Sequence, residues 1–188
     1  MNEQPPLPRS TAWRAVGASV VATAMLLARH RVHLRQEHVG QRLHFGDGAS
    51  ARIYRETVVD GSPLEAPCVL LVEFRLRAVR GWGHAVFRLE SQLNTPLFVG
   101  FAGFRSKLWL AHDQREVYRG LYQWDSPALA ERYARCLWHV LSLVSVPGSI
   151  HYAVLPGRRR DDVLRHPEEL DRPSAEVGAE WWRVVQVS

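Results

Sequence analysis

The chain has 188 residues, 46% of them hydrophobic and 23% charged, which suits one ordinary domain with extensions and excludes a mostly disordered or collagen-like chain. The formal charge is +5, but Lys107 is the single lysine among 24 basic residues. The arginines are dispersed apart from the Arg29 to Arg42 stretch and Arg158-Arg159-Arg160, and no base-stacking module signature accompanies them, so no specific nucleic-acid partner is expected. Cys68 and Cys136 show no CxxC spacing, which argues for buried thiols rather than a disulfide scaffold or a zinc site.

Residues 1–39 read as a flexible lead, marked by Pro5, Pro6 and Pro8, and an Ala-rich apolar helix. The uncharged run Ala15 to Ala28 would cover about 21 Å at ~1.5 Å per residue, short of the ~30 Å of a bilayer core. Its outline also has features of a signal-peptide h-region, with Ala22-Thr23-Ala24 as a weak cleavage-like triplet. Because it ends in Arg29-His30-Arg31, one reading is an interfacial anchor: weak membrane association through residues 13–28 of a cytoplasmic chain, peripheral to the inner face of the membrane. The other is a helix packed on the rest of the fold. Residues 40–66 read as a β-hairpin extension, because Leu43, Phe45, Ile53, Val58 and Val59 flank the turn signal Gly46-Asp47-Gly48.

Residues 67–156 form the main domain. Cys68 to Arg77 reads as a strand with one buried face, His84 to Leu93 as a helix, and Phe104 to Ala111 as a second strand that alternates Phe104, Ser106, Leu108 and Leu110 against Arg105, Lys107 and Trp109. Val117 to Trp124 is its hairpin partner, with Tyr118, Tyr122 and Trp124 on one face. Asp125-Ser126-Pro127 starts a second helix that Pro147-Gly148 stops, and Ser149 to Leu155 is a fourth strand. The order βαββαβ packs most simply as an α+β ferredoxin-like domain, an antiparallel sheet with both helices on one face. The other face carries enough apolar side chains to seek a partner sheet. Residues 157–188 read as a polar tail with an apolar C-terminal end, Trp181, Trp182, Val184 and Val185, that docks on the body or on a neighbouring subunit. The acid pairs Asp161-Asp162 and Glu168-Glu169 read as solvated charge.

Three segments, Thr95-Pro96-Leu97-Phe98, Gly103-Phe104-Arg105-Ser106-Lys107-Leu108-Trp109 and Gly120-Leu121-Tyr122-Gln123-Trp124-Asp125-Ser126, resemble the dimeric α/β-barrel superfamily. The nearest likeness is to its YdhR-like and antibiotic-biosynthesis mono-oxygenase-like groups. The resemblance covers residues 68–156, about half the chain, and implies a homodimer through sheet faces with a cavity between sheet and helices in each subunit. Some members oxidise phenolic polycyclic substrates with oxygen and no metal or flavin, so the substrate supplies the electrons and the protein desolvates it and stabilises its anion. Others bind or degrade haem, using a Trp and a His ten positions apart on the second helix; Tyr133 and Leu143 stand at those positions here.

The resemblance implies a cofactor-independent mono-oxygenase-like protein that takes a small aromatic or quinone-like molecule, with no metal and no cofactor. The candidate catalytic residues are His84, Trp109 and Tyr122; the candidate substrate-binding residues are Asn94, Trp124, Tyr133, His139 and His151. The alternative function is a non-catalytic small-molecule-binding or scaffold module, peripheral to the membrane, and a third is anionic-lipid or nucleic-acid binding through the Arg29 to Arg42 stretch. No HExxH, GxSxG, P-loop or GxGxxG pattern occurs.

Overall fold

The computed structural model describes residues 5–77, 95–170 and 180–188. The helix expected over His84 to Leu93 lies outside them. Eight strands build one antiparallel sheet: β1 (Val32–Arg35), β2 (Arg42–Phe45), β3 (Ser50–Val59), β4 (Cys68–Arg75), β5 (Phe104–Leu110), β6 (Val117–Trp124), β7 (His151–Pro156) and β8 (Val184–Val187). Among the described residues the helices are α1 (Arg9–Ala28), α2 (Pro127–Val144) and α3 (Arg160–Arg165), with 3-10 turns at Thr95–Leu97 and Pro167–Leu170.

The spatial order is β7-β4-β6-β5-β3-β2-β8, with β1 pairing the last part of β3. Its centre, β7-β4-β6-β5, is the strand order of two split β-α-β units, so the domain is ferredoxin-like α+β. Cys68 stands opposite Trp124 on one side and Pro156 on the other. The extension and the tail continue this sheet beyond β5. Between β2 and β3 the chain turns on Gly48, which takes φ +79° and gives its N–H to the Phe45 carbonyl, while the Asp47 carboxylate accepts from Ala49 N.

Alternation sends the side chains of β3 to β7 to two separate cores. On the α2 face, Leu70, Val72, Trp109, Tyr122 and Trp124 pack with Tyr133, Ala134 and Leu137 of the helix. On the opposite face, Val69, Leu71, Leu108, Leu121 and Ala153 pack with Leu43 and Phe45 of β2, Val163 and Leu164 of α3, and Val184 of β8, with Trp181 and Trp182 against them. The sheet surface expected to be uncovered is therefore covered within one chain, and β4 has two buried faces rather than one. The reason is geometric: the hairpin and the tail turn back over it, so the tail docks on the body.

Ion pairs fasten this closure. Arg119 reaches Asp47 at 2.9 Å, Asp113 at 2.9 Å and Glu73 at 3.0 Å, with its guanidinium over the Phe45 ring. Arg160 is buried and pairs with Glu56 at 2.8 Å, and Glu56 also meets His38 Nδ1 at 3.1 Å. Arg160 N–H donates to Gln123 Oε1, whose amide Nε2 donates to the Cys68 carbonyl. The Arg158-Arg159-Arg160 cluster thus holds one structural, desolvated charge.

Helix α1 begins at Arg9, six residues before the uncharged run, and its 20 residues are long and apolar enough to cross a membrane by length and composition. It lies on the fold with small residues inward: Ala12, Val16, Ser19 and Thr23 are buried, and Ser19 Oγ donates to the Pro96 carbonyl at 2.8 Å. A Cβ at Gly100 would stand 2.0 Å from the Ser19 carbonyl oxygen, so only glycine permits this approach. The large apolar residues Trp13, Val20, Val21, Met25 and Leu27 face outward.

Candidate functional site

A cavity of about 530 Å³ lies between the sheet and α2. Its position follows from local sequence: Ser126 caps α2 by accepting from Leu129 N, and Pro127 opens the first turn. Tyr133, Leu137 and Val140 then face the even-numbered residues of β6 and the odd-numbered end of β5. Asp125, just before the cap, forms an ion pair with Arg105. β5 carries an irregularity between Phe104 and Ser106, with Arg105 as the extra residue. Phe104 is thereby placed in the α2-side core with Trp109, not in the set with Leu108 and Leu110 that simple alternation gives.

The wall is aromatic. Tyr54, Phe98, Trp109, Tyr118, Tyr122 and Tyr133 line it, with Leu97, Leu137 and Leu141 between them. Phe98 meets Trp109 edge to face at 5.1 Å, and Tyr122 and Tyr133 stand 5.6 Å apart, centroid to centroid. Trp109 is oriented by its indole N–H, which donates to Thr57 Oγ1 at 3.2 Å. Tyr122 folds back over Gly120, where a Cβ would lie 2.8 Å from its ring. The hydroxyls of Tyr122 and Tyr133 hydrogen-bond to each other, and burial pushes both phenols up, so both stay protonated.

Lys107 is the residue that sequence reasoning missed. Its Nζ sits 3.3 Å from the centroid of Trp109, 4.5 Å from that of Phe98 and 4.8 Å from that of Tyr122, on the cavity wall. Among the described residues none hydrogen-bonds to it or offers it a carboxylate. Burial holds the amine well below the usual lysine range, and the nearby Arg55 guanidinium adds to that. Arg55 lies 5.1 Å from the Trp109 centroid and donates to Thr95 Oγ1 at 2.8 Å. The signal was in the sequence: Lys107 and Trp109 are two apart on one strand and share a face.

The candidates divide accordingly. Trp109, Tyr122 and Tyr133 converge on the cavity. Trp124 is buried behind it, 4.8 Å from Tyr133, and its indole N–H has no partner among the described residues. His139 turns away and donates from Nε2 to the Leu7 carbonyl, tying down the N-terminal lead with Arg135, which donates to the Pro5 carbonyl. His151 lies opposite Glu73 on β7, near the Trp181 ring, on the other face from Tyr152. His84 and Asn94 lie outside the described residues. Cys68 and Cys136 are free and buried; burial pushes the Cys68 thiol up to about 11.

No family model matches the sequence, and no curated protein matches it. Similar solved structures exist. A monooxygenase-like protein from Listeria innocua shares 13% identity over 69% of this chain and 94% of its own, with a TM-score of 0.42. An uncharacterised ferredoxin-fold protein from Listeria monocytogenes, related to antibiotic biosynthesis monooxygenases, shares 13% over 69% and 93%, with 0.39. A heme-degrading enzyme from Listeria monocytogenes shares 14% over 66% and 95%, with 0.33. The described wall of the cavity contains no histidine, cysteine or methionine, Tyr133 is bonded to Tyr122, and His139 faces Leu7. These residues do not fit an iron-ligated haem. The strand order itself gives the fold class: this chain is a ferredoxin-like α+β protein.

Proposed function

We propose that the chain binds a phenolic or quinone-like aromatic molecule between the sheet and α2 and oxidises it with oxygen, the substrate supplying the electrons. The observation that carries this reading is the cavity of about 530 Å³ walled by the rings of Tyr54, Phe98, Trp109, Tyr122 and Tyr133, with the Lys107 amine among them. Rings on several sides suit a flat aromatic guest, and a few fixed polar groups suit one oriented by its oxygen atoms. For a methylene flanked by two aryl rings the balance is R₂CH₂ + O₂ → R₂C=O + H₂O: two C–H bonds break, one oxygen atom enters the product and the other leaves as water. The chain's share is to exclude solvent, hold the ring and favour its anion.

Oxygen uptake by the purified chain with a panel of hydroquinones and anthrones tests this, with the melting temperature recorded for each compound. Uptake with at least one compound, lost in Trp109→Ala, is the expected result. A rise in melting temperature without uptake would leave a binding module. Neither effect with any compound would end the reading.

A further inference from the structure

We propose that Lys107 is the base of this cavity: its amine takes the proton of an acidic aromatic hydroxyl and holds the resulting phenolate as a contact ion pair. The inference rests on the phenolic reading above and adds the group that makes the anion. A base here must have a lone pair, line the cavity and be uncommitted. Among the described lining residues there is no carboxylate and no histidine, a guanidinium has no lone pair to offer a proton, and the two central tyrosines are bonded to each other and kept protonated by burial. Among the described lining residues Lys107 is the amine that meets all three conditions. Its Nζ is caged by Trp109, Phe98 and Tyr122 and reaches the cavity with no described hydrogen-bond partner.

The step balances without any oxidant. The substrate O–H bond breaks and its electron pair stays on oxygen; the Nζ lone pair forms the new N–H bond; the total charge is unchanged. Desolvation, which disfavours a lone ammonium, is offset when a phenolate arrives in contact with it, and the Arg55 charge favours the same anion. The phenolate is the electron-rich form that oxygen can oxidise, so the lysine prepares the substrate for the proposed reaction.

The test uses the full chain and 4-nitrophenol, whose ionised form has its own visible absorption band, below the solution pKa of the probe. Binding to the native chain is expected to raise the nitrophenolate band with almost no proton released to solvent, because Lys107 takes it up. Lys107→Met is expected to bind the probe roughly tenfold more weakly and without that band. Lys107→Arg is expected to hold the phenolate but release about one proton per probe bound, since guanidinium is already charged. An unchanged band in Lys107→Met would overturn the proposal. So would one proton released per probe by the native chain, a measurement that needs no variant. Binding of the neutral phenol alone by all three proteins would remove the role of Lys107 and leave the cavity reading standing. No binding by any of them would remove both.

Discussion

Lys107 spends its side chain on three aromatic rings and none of it on a described hydrogen bond, so the folded state bears the cost of an amine taken out of water. Because its folded-state value lies below the unfolded one, the unfolded chain binds more protons at every pH between the two, and stability rises with pH across that interval. The penalty is absent above the ordinary lysine value of 10.5 and grows as pH falls toward the depressed one. Lys107→Met should therefore be more stable than the native chain by about 1–3 kcal/mol at neutral pH. Urea unfolding at neutral pH and near pH 10.5 should show that gap closing as the solution becomes alkaline. A residue held against stability in this way is one that function can account for. Trp109, Tyr122 and Tyr133 were legible as cavity residues because aromatic alternation on a strand, or helical spacing, fixes their face. Lys107 shares a strand face with Trp109 and could have been grouped with it, but a lysine two positions from Arg105 reads as solvated until the covering of that face is known.

Helix α1 inverts the usual arrangement, with small and hydroxylated residues against the body and large apolar ones away from it. What holds it is close approach: the Ser19 backbone against Gly100 and the Ser19 hydroxyl on the Pro96 carbonyl. Ser19→Leu should thus lower stability by about 1–3 kcal/mol through overpacking. Val21→Ser, at a position 61% exposed, should leave the melting temperature nearly unchanged. Thermal denaturation of both variants checks this; equal losses would mean that α1 is packed by its outer face. The apolar run of this helix was visible in the sequence, but not its orientation, because a helix of such uniform hydropathy carries no periodic signal. The turn at Gly46-Asp47-Gly48 and the helix start at Asp125-Ser126-Pro127 were visible, each having a local cause. The run Val69 to Val72, an unbroken apolar stretch in a strand, is the sequence sign of two covered faces.

The molecule as a whole is a sheet with a core on each side, the second closed by the hairpin, α3 and β8. Leu121 lies fully buried at the centre of that second core. Leu121→Ala is expected to cost about 2–5 kcal/mol, with an unfolding midpoint that does not move with protein concentration. A midpoint that rose with concentration would mark this face as a contact between copies. The split β-α-β centre was legible from element order, whereas the closure was not: it depends on Arg119 and Arg160 meeting carboxylates far away in number, and on a terminal strand too short to announce itself. The pairing of β2 with β8 has one more consequence. Arg42 and Ser188 exchange backbone hydrogen bonds, and His44 reaches the Ser188 hydroxyl across 144 positions. A ribosome delivering this polypeptide releases β2 and β3 long before β8, so the early hairpin waits with a bare flank until residues 184–187 have emerged to sew the seam.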